Sequence, residues 1–315
     1  MFKIGLIGVG SVGSMHKKAI MAHPECELTA ICNRTLAKAE KLAEDINARA
    51  YSDYKDMQEK EELDAVIVNL PHDLHKDVSI YFLEKGINVL VEKPMANTVE
   101  ECDAMIEAAK KSGAILAVGH PQRYMNANRA LKKIVEEERL GKLCAIDEIR
   151  NVEYFTDRPE WFLTKKHSGG GILMNYGAHS LDKIFYMTGK KVEEISCVSG
   201  NFYTDHDVEA HAQLLFKLSG GASASLTHIG SLVPPCHETT FYFTGGAVKV
   251  RGWDTILVAE GKNDYEPVDC GKTGNFMDGQ MEEFVKMLKG EENEMVTAEY
   301  GRDVIAVLEK AYKQL

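Results

Sequence analysis

Five short, predominantly apolar runs punctuate the first 120 residues: 2–7, 28–32, 65–69, 87–91 and 115–118. Helical patterns follow at 12–21 and 36–45, near 75–84, and at 99–111. A strand that is apolar on both faces must be covered on both faces, which is what crossover helices do for a parallel sheet. The alternation therefore demands a βαβ series, and a doubly wound α/β sheet is its natural solution. One helix also announces its ends. Thr98 with Glu101 three residues on is a capping box, and Gly113 is the expected stop.

Between the first strand and the first helix lies Gly8-Val9-Gly10-Ser11-Val12-Gly13. In that position G-x-G-x-x-G is a dinucleotide-binding signal. Gly8 permits the tight turn, Gly10 lets the main chain approach a pyrophosphate, and Gly13 lets helix and strand pack closely. The second strand ends in Cys32-Asn33-Arg34 with no ribose-reading carboxylate. Asn33 does not repel a 2′-phosphate, and Arg34 can pair with one or lie over adenine. NADP is the expected cofactor, with NAD the alternative; a solvated arginine at a helix start is the plainer account of Arg34. Glu92-Lys93-Pro94 follows another strand at the carboxyl edge of the sheet, where such sheets bind ligands. A surface Lys-Pro turn has the same spacing.

After His120 the pattern changes to longer alternating segments, from 142 to about 260, separated by turns such as 219–221 and 245–246. That reads as a mainly antiparallel sheet. A helix is expected at 126–139, closed by Gly141, and two more near 276–289 and 298–313. The expected domains are 1–121, binding the dinucleotide, and 122–315, an α+β domain for substrate binding and oligomerisation.

GGGILMNYGAHSLD at 169–182 interrupts the antiparallel series with a helical pattern. Asn175, His179 and Asp182 share one face, with Tyr186 a turn later, while Leu173, Met174, Leu181, Ile184 and Phe185 form an apolar side. The three glycines are expected to let the chain pass close to bound ligands.

Charge and cysteine content narrow the partners. Thirty-seven basic against 48 acidic residues give a net charge of −11, which argues against nucleic acid or an anionic membrane. Seven scattered cysteines without C-x-x-C read as free thiols in a reducing cytoplasm. The opening residues read as a strand rather than a signal peptide, and no apolar run approaches a membrane span.

With GVGSVG at 8–13, EKP at 92–94 and GGGILMNYGAHSLD at 169–182 in this order, the whole chain resembles the Gfo/Idh/MocA family of NAD(P)-dependent oxidoreductases. The resemblance implies a Rossmann domain followed by an α/β domain with a large, mainly antiparallel open sheet. It implies oxidation of a secondary alcohol of a sugar, inositol or polyol, or reduction of the ketone. It also implies a homodimer or homotetramer through the open sheet. Two other function classes stay open: a redox-neutral lyase or glycosidase that retains its cofactor, as in relatives that work by transient oxidation, and a non-catalytic dinucleotide sensor.

Carried over by motif, Lys93 is the EKP lysine and His179 the second-domain histidine. Histidine suits a base or acid near neutrality, and a lysine can stabilise a developing alkoxide. Asn175 stands where many of the family's dehydrogenases carry Asp. An amide can orient a hydroxyl but cannot take a proton at neutral pH. Asp182 could orient the histidine, or be structural.

Cofactor contacts are expected at Gly8, Gly10, Ser11, Val12, Gly13, Asn33, Arg34, Leu70, His75, Glu92, Lys93 and His120. Substrate contacts are expected at Gln122, Arg123, Trp161 and Asn175. Core packing is an equal account of Trp161. Arg158 could hold a carboxylate or phosphate, though a surface ion pair is the simpler expectation. Asp205, Asp207, Glu209 and His211 would share one strand face, read as solvated carboxylates; no metal is expected.

Overall fold

The computed structural model describes residues 1–156, 158–202 and 205–315. In chain order, β1 (Phe2–Ile7), α1 (Ser11–Ala22), β2 (Cys26–Cys32), α2 (Leu36–Ala43), β3 (Arg49–Tyr51), α3 (Tyr54–Lys60), β4 (Ala65–Val68), α4 (His75–Leu83), β5 (Asn88–Glu92), α5 (Val99–Ser112) and β6 (Leu116–Gly119) form the βαβ series. All four residues of β4 and of β6 are buried, as two-sided covering requires. The sequence pattern had not marked β3 and α3. β3 has only three residues, none of them buried, so no apolar run signals it. At α5 the Thr98 hydroxyl accepts the Glu101 N–H at 3.2 Å, and Gly113 closes the helix at φ +75°. The Glu101 carboxylate reaches back to the N–H of Asn97, not Thr98, at 3.0 Å.

The chain continues through α6 (Asn126–Glu136), β7 (Leu143–Asn151), α7 (Lys165–Ser168), a π-helical turn (Leu173–Gly177) and α8 (Ala178–Thr188). Then come β8 (Val192–Gly200), β9 (His211–Leu218), β10 (Ser223–Ile229), β11 (Cys236–Phe243), β12 (Gly246–Arg251), β13 (Thr255–Glu260) and β14 (Glu266–Val268). α9 (Phe276–Lys289), β15 (Val296–Thr297) and α10 (Ala298–Tyr312) complete it. α6 stops before the expected 139; the turn after it holds Glu138 at φ +50° and Gly141 at φ +79°.

Two compact units result: Met1–Pro121 with Asn275–Ile305, and Gln122–Gly274 with Ala306–Leu315. Residues 275–305, expected in the second domain, therefore belong to the first. Met277, Met281, Phe284 and Val285 on α9 join the core that holds Ile4, Ile20, Leu28 and Ala117. Val296 and Thr297 pair antiparallel with Val118 and Ala117 of β6. An apolar helix face must be buried somewhere, and here the core it joins lies more than 150 residues earlier in the chain.

The first unit's sheet has the order β15-β6-β5-β4-β1-β2-β3, with all pairs parallel except β15 with β6. Strand order reverses between β1 and β4, and ligands of such sheets sit at the carboxyl ends flanking that reversal. The second unit's sheet has the order β14-β13-β12-β11-β7-β10-β9-β8 and is antiparallel except for β7 with β10. Among the described residues no helix is long and apolar enough to cross a membrane.

Candidate active site

At the reversal point of the first sheet, the three motif glycines separate by what surrounds them. A Cβ on Gly8, which sits at φ +98°, would lie 1.9 Å from the Asn69 carbonyl oxygen. One on Gly13 would lie 2.4 Å from the Gly8 oxygen. The fold itself demands both glycines. A Cβ on Gly10 would meet nothing within 4 Å, so the protein leaves open the space that this glycine keeps clear. α1 starts there, and no side chain caps it. The N–H groups of its first turn, Ser11 and Val12 included, keep their donor capacity for an anion. These features fit a dinucleotide pyrophosphate. Leu70 packs beside Gly8. At the end of β2 the Asn33 amide donates to the Thr35 carbonyl at 3.0 Å, and Arg34 is exposed.

Lys93 follows β5, is half-buried, and is joined to Pro94 by a cis peptide bond. Two buried side chains hold this loop. The Glu92 carboxylate lies 2.7 Å from His16 Nε2 and accepts the Lys93 N–H at 3.2 Å. Burial pushes its pKa up, but the His16 hydrogen bond and the charges of His16, Lys93 and His75 hold it below the usual carboxylate range. The His75 ring nitrogens lie 3.0 Å from the Pro94 oxygen and 2.8 Å from the Leu70 oxygen. Burial lowers its pKa despite both contacts. Glu92 and His75, expected at the cofactor, thus brace the loop that carries Lys93 through these internal contacts. His16, not singled out from the sequence, is their missing partner; a lone histidine on a helix gives no signal of a contact 76 residues away. His120 follows β6, buried, with its ring 6.5 Å from that of Tyr300.

In the second unit the three glycines serve the chain's own contacts. Gly169 ends α7 at φ +75°. A Cβ on Gly170 would lie 2.0 Å from the Tyr312 hydroxyl, and one on Gly171 would lie 2.2 Å from the Glu209 carbonyl oxygen. This corrects the expectation of ligand clearance: the neighbour is the protein itself. One Glu209 carboxylate oxygen accepts the N–H groups of Gly171 and Leu173, at 2.8 and 2.9 Å, and the Tyr312 hydroxyl at 2.7 Å. Glu209 therefore caps the start of the helix. The face expected to carry Asp205, Asp207, Glu209 and His211 is also corrected, because β9 begins only at His211. Asp207 accepts the Lys165 N–H at 2.6 Å, and no cluster of metal-ligating residues exists among the described residues.

The helix then opens with a π turn, a feature frequent at functional sites. Asn175 is buried with its side chain beside the Tyr154 hydroxyl. His179 is half-buried, its ring 6.4 Å from that of Tyr176. Further along, Asp182 is buried and gripped by Arg123, through Nε at 2.8 Å and a terminal nitrogen at 2.6 Å. The Arg123 guanidinium lies 4.6 Å over Tyr186. Arg123, expected at the substrate, pairs with Asp182, and that pair fixes α8. Gln122 keeps a buried side-chain oxygen without a hydrogen-bond partner among the described residues. Trp161 stacks on Phe162 with ring centroids 3.7 Å apart. Arg158 donates to the Tyr176 hydroxyl at 2.6 Å, and no described carboxylate forms an ion pair with it, contrary to the surface pair expected.

The reverse face of α8 is not simply apolar. Lys183 donates to Glu148 at 3.2 Å and to Thr239 at 2.8 Å, and lies 3.3 Å from His237 Nε2. Ser180 donates to Glu148 and lies 3.1 Å from His228 Nε2. Arg150 contacts His237, and its guanidinium lies 5.1 Å over Tyr176. Burial opposes the Glu148 charge, but Lys183, His228 and Arg150 more than compensate and hold its pKa well below the usual range. His237 is pushed down to about 2, first by burial and then by the Lys183 and Arg150 charges. A trace of this network is visible in the sequence: Ile146, Glu148 and Arg150 alternate on the inward face of β7, where apolar residues belong.

A family model described as "Oxidoreductase family, NAD-binding Rossmann fold" matches residues 2–120, and the "GFO/IDH/MocA C-terminal domain" matches 128–249. The chain is 26% identical over 303 residues to the 2,7-anhydro-N-acetylneuraminate hydratase of Mediterraneibacter gnavus, covering 94% of this chain and 75% of that protein. It is 31% identical over 191 residues to the D-glucoside 3-dehydrogenase of Escherichia coli, covering 59% of this chain and 54% of that one. The fold matches the crystal structure of aldose-aldose oxidoreductase from Caulobacter crescentus with a TM-score of 0.91 and 23% identity, over 99% of this chain and 97% of the other.

Two outcomes are expected. Gly10→Ala should fold with an unchanged melting temperature yet lose nicotinamide dinucleotide binding, whereas Gly8→Ala should fail to fold; melting curves and fluorescence titration check both. Acid should weaken the second unit. An unfolded imidazole takes up a proton below about pH 6.5, which His237 refuses in the folded state, and burial lowers His228 in the same direction. Stability should be fully present above about pH 6.5 and fall by about 1 kcal/mol per pH unit for each such histidine on acidification. Denaturant melts between pH 5 and 7.5 should show this slope, and His237→Asn should flatten it.

Proposed function

The chain belongs to the GFO/IDH/MocA family of NAD-binding oxidoreductases, and from that premise we propose that it exchanges hydride at a secondary alcohol or ketone of a sugar-, inositol- or polyol-like substrate. The observation that carries this reading is Gly10, whose open side and uncapped helix start suit a pyrophosphate. When bound, the nicotinamide supplies the hydride acceptor or donor. Gly8 to Gly13 hold the phosphates, Asn33 and Arg34 read the ribose end, and Leu70 and His120 flank the cofactor. Arg34, with no carboxylate beside it in the sequence, favours NADP over NAD.

The residues' own chemistry divides as follows. Lys93, held by Glu92 and His75, donates to the substrate oxygen and stabilises negative charge as the hydroxyl proton leaves. His179 takes that proton, or returns it in reduction. Asn175 orients a substrate hydroxyl without titrating. Gln122 and Trp161 line the substrate side. The outer face of the eight-stranded sheet exposes Val198, Leu215, Ile149 and Tyr242, which supports a homodimer or homotetramer through that sheet. Seven cysteines without a disulfide support a reducing, cytoplasmic setting.

A second reading is a redox-neutral reaction with a retained cofactor. Asn175 in place of an acid favours it, and so does similarity to a hydratase. Absorbance at 340 nm separates the two: net cofactor turnover belongs to the dehydrogenase, substrate consumption without it to the redox-neutral enzyme. In either case Lys93→Ala and His179→Ala should each lower kcat/KM by about 10²- to 10⁴-fold. Normal turnover in both, with cofactor still bound, would sink this mechanism. Arg34→Ala should weaken NADP binding by about 10- to 100-fold and leave NAD binding unchanged; an intact NADP preference would remove the phosphate role.

A further inference from the structure

Arg158 sits in unusual company for a charged residue on an acidic protein. Its guanidinium carbon lies 4.3 Å from the Tyr154 ring centroid, 5.2 Å from Phe162 and 5.4 Å from Tyr176. One terminal nitrogen donates to the Tyr176 hydroxyl at 2.6 Å. Its Nε is buried and has no hydrogen-bond partner among the described residues. The three rings hold the guanidinium plane in place, yet satisfy only part of a group with five N–H donors. A buried donor left unused is costly, and natural structures keep such groups for a reason.

The local charge points the same way. Behind Tyr176, the single carboxylate of Glu148 faces two cations, Lys183 and Arg150, while burial presses His237 and His228 toward neutrality. Arg150 and Arg158 thus both approach the Tyr176 ring, and the carboxylate acting on neighbouring Tyr154, Glu209, is already held by three hydrogen bonds. Position matters as much as sign. Tyr176 lies 6.4 Å from the His179 ring, and Tyr154 contacts both Arg158 and Asn175. An anion held by Arg158 would lie within one sugar ring's reach of Asn175 and His179.

We propose that Arg158 binds a carboxylate of the substrate, so that the enzyme acts on an acidic sugar, such as a uronate, aldonate or related sugar acid, rather than on a neutral one. The half-buried guanidinium keeps terminal N–H donors that Tyr176 does not use, and two parallel N–H groups of a planar guanidinium are what a carboxylate accepts. This rests on the sugar-like substrate of the preceding subsection and names its class.

The test pairs each sugar acid with its neutral counterpart: D-glucuronate and D-galacturonate with the aldoses, D-gluconate with the polyol, and methyl β-D-glucuronide with methyl β-D-glucoside. Binding is read by calorimetry and turnover by absorbance at 340 nm, with NAD and with NADP. The wild type should bind at least one acid about 10- to 100-fold more tightly than its neutral partner. Arg158→Ala should abolish that difference by weakening the acid alone, and Arg158→Lys should restore part of it. Tyr176→Phe, which removes the hydroxyl that holds the guanidinium, should weaken the acid by a smaller factor. Equal affinities within every pair, or acid preference intact in Arg158→Ala, would overturn the assignment. Tighter binding of D-glucose 6-phosphate than of any carboxylate would overturn it in favour of a phosphate site. Acid-selective binding with no redox turnover would count against the oxidoreductase reading alone. Redox turnover with no acid preference would count against Arg158 alone.

Discussion

Main chain lies against main chain in each unit, with no room for a Cβ, and each unit's candidate residues rest on such a contact. In the first unit the approach is Gly8 to the Asn69 carbonyl, which seats α1 at the reversal point of the sheet. In the second it is Gly171 to the Glu209 backbone, with Gly170 against Tyr312. The glycines remove the steric barrier, and the Glu209 carboxylate then supplies the attraction by accepting two N–H groups and a phenol. A helix start tied at three points has little freedom to tilt. Asn175 and His179, lying just beyond it, inherit that rigidity. Precise placement of reacting groups is where much of an enzyme's advantage arises.

Buried charge is the second organising element. Glu148, Lys183 and Arg150 are all almost fully buried, and desolvating them is costly unless each meets an opposite charge or hydrogen bond. Here the strands bring Thr239, His228 and His237 to the same place, and α8 brings Ser180 and Lys183. The network ties α8 to β7, β10 and β11 in one register, since a one-residue slip of any strand would turn these side chains to the other face. Asp182 with Arg123 fixes the same helix from another side. The helix that bears His179 is therefore locked by electrostatics as well as by apolar packing.

The sequence by itself determined the parallel sheet, the glycine turn, the capped α5, the antiparallel second sheet, the loop bearing Lys93 and the helix bearing His179. All of these rest on local signals: period, turn chemistry, and motif order. The tertiary structure alone decided which residues touch. His16 meets Glu92 from 76 residues away, Glu209 caps a helix that begins 36 residues earlier, and α9 returns to the first unit's core. None of these pairings has a periodic signature, because contacts between distant segments depend on topology and not on spacing. For the same reason the sequence did not show that Arg123 pairs with Asp182 or that Glu92 and His75 brace the loop of Lys93, while Arg158 looked like a surface ion pair and has no described carboxylate partner. A charged side chain's role is set by what desolvates it and what faces it, and both are properties of the folded chain.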